Sequence, residues 1–110
     1  MKGGGKMQLE YADNKMKKIM ENERLINRFY TSLSTGIKNR LSELRAADSL
    51  KEIPEVPPPK RHKLSGDKSD HWGVSVSKNF RMVLKPIGEY DINDLSSIKA
   101  VKITKIEDYH

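Results

Sequence analysis

The hydrophobic period changes along the chain, and that change organises it. After a short alternating start, apolar residues recur every three or four positions until the prolines at 54–59, and beyond them they recur every second position. Met7-Gln8-Leu9-Glu10-Tyr11 alternates apolar and polar side chains and predicts a short strand with one buried face. Asp13 stands where an N-cap belongs, followed by Met16, Ile19 and Met20 on one side and Lys15, Lys17 and Lys18 on the other, the pattern of a short amphipathic helix. Glu21-Asn22-Glu23 interrupts it and supplies Asn22 as a second cap. Ile26, Tyr30, Leu33, Ile37, Leu41 and Leu44 then recur at spacings of four, three, four, four and three, which predicts one long helix over 23–47 whose stripe is core packing. Gly36 inside it costs about 1 kcal/mol relative to alanine and marks either a close approach or a bend. Asp48-Ser49 ends the helix, and Pro54 with Pro57-Pro58-Pro59 makes 51–59 an extended connector.

Arg61-His62-Lys63-Leu64 reads as a short strand closed by the turn Ser65-Gly66-Asp67-Lys68. Trp72, Val74 and Val76 alternate with Gly73, Ser75 and Ser77 in the next strand. In Phe80-Arg81-Met82-Val83-Leu84-Lys85 the residues Phe80, Met82 and Leu84 share one face, leaving Arg81, Val83 and Lys85 on the other. A polar excursion over 86–97 leads to a last strand over 98–106. The order argues for an α+β fold: an N-terminal strand and two helices packed on one face of a mainly antiparallel, curved sheet. Residues 1–6 form a leader and 7–110 a single domain, divided into a strand plus helical hairpin (7–53), the proline-rich connector (54–59) and the sheet (60–110).

Composition narrows the setting. None of the 110 residues is cysteine, which rules out disulfides and thiolate metal sites and suits a reducing cytoplasm. No apolar run is long enough to span a bilayer, and Met1-Lys2-Gly3-Gly4-Gly5-Lys6 lacks the apolar core of a secretory signal, so a cytoplasmic protein without membrane attachment is expected. The net charge of +6 favours a polyanionic partner. From Lys60 to Lys85 seven Lys/Arg (Lys60, Arg61, Lys63, Lys68, Lys78, Arg81, Lys85) face two acids (Asp67, Asp70), whereas the stretch from Pro86 onward carries three lysines against five acids. The excess therefore lies in one segment, whose six lysines and arginines besides Arg81 are the candidate RNA contacts.

With the helices packed on Phe80, Met82 and Leu84, Arg81 and Lys85 point away from the core onto the open face. His62 is expected on a strand edge just before the turn, and Asp108, Tyr109 and His110 at the end of another strand of the same sheet. Converged with Arg81, these residues supply two imidazoles for proton transfer, a cation matched to phosphate and a ring able to stack on a base. Such a set suffices for RNA cleavage without a metal. A 2′-hydroxyl attacks its own 3′-phosphate, Arg81 stabilises the added negative charge, and acid and base roles fall to His62 and to His110 or Asp108. His71, beside Trp72 in a turn, reads as a solvated histidine. Three scattered histidines show no metal-ligand spacing, no phosphate-binding glycine loop or nucleophile elbow is present, and no cofactor is expected.

Tyr11-Ala12-Asp13-Asn14-Lys15, His62-Lys63-Leu64-Ser65-Gly66, Trp72-Gly73-Val74-Ser75-Val76, Asn79-Phe80-Arg81-Met82 and Glu107-Asp108-Tyr109-His110 together resemble the RelE/ParE superfamily of bacterial toxins, most nearly its host-inhibition-of-growth (HigB-type) branch. The resemblance implies a RelE-like fold and the toxin of a type II toxin–antitoxin pair. It implies a ribosome-dependent, metal-free mRNA endoribonuclease neutralised by a cognate helix-turn-helix antitoxin, touching operator DNA only through the antitoxin complex. By position, His62, Arg81, Asp108, Tyr109 and His110 match the family's active-site residues. Ser65 departs from the pattern, standing where family members often carry a lysine, a cation that Lys63 or Lys68 would have to replace. Arg61 is a poorer substitute, because arginine and lysine are not interchangeable in such roles. Two other readings share the fold: a ParE-like inhibitor of DNA gyrase and a non-catalytic interaction module.

Overall fold

The computed structural model describes residues 6–109. Five strands, β1 (Gln8–Tyr11), β2 (His62–Lys63), β3 (Trp72–Ser75), β4 (Phe80–Pro86) and β5 (Ala100–Asp108), form one sheet in the spatial order β1-β5-β4-β3-β2. Neighbours run antiparallel except β1, which lies parallel to β5 at one edge. Three helices, α1 (Asn14–Met20), α2 (Glu23–Phe29) and α3 (Ser34–Ala46), supply the other layer, so the α+β class read from the sequence holds. Ile19, Met20, Ile26, Ile37, Leu41 and Leu44 pack with Trp72, Val74, Met82, Leu84, Val101 and Ile103 into one buried core.

Both expected helix caps form. The Asp13 carboxylate accepts from Met16 N–H at 2.8 Å, and Asn22 Oδ1 accepts from the N–H groups of Arg24 and Leu25 at 3.0 and 3.3 Å. Each cap contributes about 1 kcal/mol.

The single helix expected over 23–47 is instead two. α2 ends at Tyr30 (φ −132°, ψ 53°), a 3-10 turn covers Thr31–Leu33, and α3 begins at Ser34. Hydroxyl side chains here compete for the backbone, and Ser34 Oγ–H donates to the Thr31 carbonyl at 3.2 Å. The apolar stripe runs on across the break because Ile26, Ile37, Leu41 and Leu44 all stay buried. Gly36 marks a close approach rather than a bend: a Cβ there would lie 1.7 Å from the Val76 carbonyl oxygen.

Strand boundaries also shift. β2 is shorter than 61–64, and the last strand starts at Ala100 and continues to Asp108. A β-bulge lies between β4 and β5, where Val83 pairs with Lys105 and Leu84 with Ile103, leaving Thr104 as the extra residue. Thr104 Oγ1–H donates to the Val83 carbonyl at 3.3 Å. The bulge lets Ile103 and Ile106, three positions apart, both turn toward the core, and it brings Glu107 opposite Arg81.

The connector is closed by Arg61, which is buried and donates from Nε to the Ile53 carbonyl at 2.7 Å while its backbone N–H reaches Pro54 O at 2.9 Å. Lys60 next to it adopts φ +51°. No helix among the described residues is long and apolar enough to cross a membrane.

Candidate active site

The sheet face turned away from the helices carries two cross-strand rows. One runs His62, Gly73, Val83, Lys105, and the other Ser75, Arg81, Glu107. Val83 and Leu64 are buried yet stand outside the main core, forming a small apolar floor under this face. Gly73 lies on this face between His62 and Val83. A Cβ there would meet His62 Cε1 at 3.1 Å, Arg81 Cδ at 3.2 Å and Leu64 Cδ2 at 3.2 Å, so the missing side chain lets His62 and Arg81 close in over the strand.

Above that floor three segments distant in sequence meet. The Arg81 guanidinium carbon lies 5.1 Å from the Tyr109 ring centroid, and the Tyr109 and His62 rings are 6.2 Å apart at an interplanar angle of 32°. Tyr109 is held at both ends: its backbone N–H donates to Asn79 O at 3.0 Å, and its hydroxyl lies 3.2 Å from Ser75 Oγ. Ser75 is itself anchored from below, its carbonyl accepting from Nη1 of buried Arg40 at 3.1 Å. Arg40 is fixed in turn by an ion pair with Glu43, 2.8 Å from Nε to Oε1. His62 Nδ1 is 3.0 Å from the carbonyl of Lys60. A carbonyl only accepts, so this contact is a hydrogen bond when Nδ1 carries a proton, and in that tautomer Nε2 is the accepting nitrogen.

Arg81 does not stand alone. Its Nε and Nη2 lie 2.7 and 2.6 Å from Glu107 Oε2, and Lys105 Nζ is 3.4 Å from the other carboxylate oxygen. Burial by itself raises the pKa of Glu107, but the hydrogen bond and charge of Arg81, with Lys105 adding to them, outweigh it and hold the group below the usual carboxylate range.

Of the residues singled out from sequence, His62, Arg81 and Tyr109 come together. Asp108 pairs with Phe80 in the β4–β5 register, in the row that faces the helices rather than the row of Arg81. His110 lies outside the described residues. Lys60 and Lys78 line a groove beside Tyr109, and exposed Lys85 pairs with Lys102 farther along β4. Arg61 is drawn into the connector and is not presented to this face. Lys63 lies over the Trp72 ring at 5.4 Å, and Lys68 belongs to a 3-10 turn over Gly66–Lys68 that exposed Ser65 precedes. His71 is not simply solvated: its Nδ1 lies 2.7 Å from the Asp70 carboxylate, a hydrogen bond that holds Asp70 below its ordinary range. No three of the described His, Asp and Glu residues come together as metal ligands.

Glu107, Lys105, Ser75, Gly73 and Arg40 were not singled out. Only the strand register, set by the bulge at Thr104, reveals that Glu107 faces Arg81. For Ser75 and Gly73 the alternation around Trp72 and Val74 already places both on the open face.

Compared with solved structures, the architecture is familiar. The chain matches the YoeB/ParE toxin from Agrobacterium tumefaciens with a TM-score of 0.58 at 13% identity, covering 94% of this chain and 100% of that one. It shares a RelE-like fold with that toxin. This toxin fold recurs in the YoeB–YefM complex from Staphylococcus aureus (TM-score 0.53, 12% identity, 96% of this chain and 99% of that one). It recurs again in YafQ from E. coli strain BL21(DE3) (TM-score 0.56, 12% identity, 94% of this chain and 93% of that one). These neighbours do not single out the HigB-type branch. No protein-family model and no curated protein matches the sequence.

Proposed function

We propose that the chain is the toxin of a type II toxin–antitoxin pair and an endoribonuclease that cuts messenger RNA on the ribosome, using side chains alone. The observation that carries this reading is the meeting of His62, Arg81 and Tyr109 on the open sheet face. In the proposed reaction Tyr109 stacks on a base and Arg81 binds the adjacent phosphate. His62 Nε2 takes the proton of the 2′-hydroxyl as that oxygen bonds to phosphorus. The bond from phosphorus to the 5′-oxygen breaks, and His110 is assigned the return of a proton to the leaving oxygen, since Asp108 belongs to the row of β5 that faces the helices. The products are a 2′,3′-cyclic phosphate and a 5′-hydroxyl. Arg81 contributes by stabilising the charge that builds on the non-bridging oxygens.

Neutralisation by a cognate antitoxin belongs to the same proposal, supported by the S. aureus relative of this fold, whose structure is a YoeB–YefM complex. The test is to add purified protein to translating ribosomes and map the ends of the message. Cleavage leaving cyclic phosphate and 5′-hydroxyl ends, only when translation is active, supports the reading. Intact message together with loss of gyrase supercoiling would replace it with the gyrase-directed one.

A further inference from the structure

Beside the cluster a groove of about 590 Å³ runs between the start of α3, the connector and the β3–β4 turn, and it opens at Tyr109 and Ser75. That volume falls within the range of about 300–1,000 Å³ usual for ligand clefts. Its walls carry Ser32, Thr35 and Asn39 from the helix side, Lys60 from the connector and Ser77 and Lys78 from the turn. No carboxylate among the described residues lines it. Arg40 forms part of its floor but is already paired with Glu43, so Lys60 and Lys78, both exposed, set the charge of the groove.

We infer that this groove is a nucleotide subsite, which holds the nucleotide next to the cleaved phosphodiester, with its phosphate at Lys60 and Lys78 and its base edge at Asn39. The inference rests on the endoribonuclease reading above. Three features point to single-stranded RNA rather than an acidic peptide. The groove is continuous with an aromatic ring placed to stack a base. Asn39 offers both a donor and an acceptor, as recognition of a base edge requires. Hydroxyls and the Asn39 amide are interspersed with Pro57, Pro58 and Val76, so the groove offers hydrogen-bond partners that the purely apolar groove of a docked helix does not. Lys60, at φ +51°, serves both sites: its carbonyl orients His62 while its side chain borders the groove.

The test uses the full chain and a short single-stranded 2′-O-methyl RNA, which binds but cannot be cut, titrated at several salt concentrations with melting temperatures recorded alongside. The double variant Lys60→Gln/Lys78→Gln is expected to bind roughly tenfold more weakly. Its salt-dependence slope should be smaller by about 1.4, since each lysine that no longer neutralises a phosphate of a single strand removes about 0.7. Asn39→Ala is expected to alter preference among bases while leaving the slope unchanged. If the lysine variant keeps the wild-type affinity and slope while Arg81→Ala weakens binding, the subsite is refuted and the endoribonuclease reading stands. If Arg81→Ala also binds as tightly as wild type, the reading of the whole site fails with it. Loss of binding to a glutamate-rich peptide but not to the RNA would overturn the proposal in favour of a protein occupant.

Discussion

Arg81 directs both Nε and Nη2 to a single oxygen of Glu107, Oε2, at 2.7 and 2.6 Å. The cation proposed to bind phosphate is thus already engaged by an internal carboxylate, and RNA must compete with it. Lys105, 3.4 Å from the other oxygen, is placed to keep the carboxylate when phosphate takes Arg81. Glu107→Gln keeps the shape and removes the competing charge. It is expected to bind single-stranded RNA up to about fivefold more tightly, since a partly exposed ion pair is worth at most about 1 kcal/mol. Equal or weaker binding in a titration would mean that Glu107 serves only to hold Arg81 in place.

The same pair predicts a pH dependence. Glu107 is held below its ordinary value of 4.5, so its contribution to stability is complete above that value and is lost as pH falls through the lower, folded-state value. Asp70 and Asp94 are also held low, so the informative quantity is the difference between wild type and Glu107→Gln. The gap in melting temperature between the two is expected to shrink below about pH 4.5. A gap that stays constant from pH 7 to pH 3 would contradict the arrangement.

Gly73 separates site geometry from stability. A Cβ at 3.1 Å from His62 Cε1 and 3.2 Å from Arg81 Cδ meets side chains that can move, not backbone. Gly73→Ala is therefore expected to lower the cleavage rate by about 10- to 100-fold, the order expected when catalytic groups are displaced by fractions of an ångström, with little change in melting temperature.

Gly36→Ala should do the reverse. Its Cβ would fall 1.7 Å from the Val76 carbonyl oxygen, backbone against backbone. A loss of more than about 3 kcal/mol is expected in urea melts, or failure to fold, because α3 must lift off the sheet.

These two glycines show what the sequence makes visible. Alternation around Trp72, Val74, Met82 and Leu84 placed the core face of β3 and β4 correctly, and with it Arg81 on the opposite side. The helix break between Tyr30 and Ser34 was hidden because the spacing of Ile26, Leu33 and Ile37 is the same whether or not one 3-10 turn intervenes. Gly36 was recognisable as special, but its neighbour Val76 lies 40 positions away and is known only from packing. Glu107 was hidden for a similar reason: without the bulge at Thr104 its pairing with Arg81 cannot be counted from the turns. Arg61 looked like one more cation of the basic segment, and only the fold of the connector shows it buried against Ile53.

Tyr109 offers a graded test of stacking. Tyr109→Phe removes only the 3.2 Å contact with Ser75 Oγ and is expected to retain RNA affinity within about twofold. Tyr109→Ala removes the ring that lies beside Arg81 and His62 and is expected to cost about 1–3 kcal/mol of binding. If the two variants bind alike, the ring does not stack on a base.

The central claim is that His62 and Arg81, from different strands, act on one phosphodiester. The most direct measurement is the single-turnover rate of message cleavage on translating ribosomes for His62→Ala, Arg81→Ala and the double variant. Each single change is expected to slow cleavage by about 10²–10⁴-fold, and the double variant to be slowed by less than the product of the two, as for groups that act together. Cleavage at the wild-type rate by either single variant, with the protein still folded, would contradict the account.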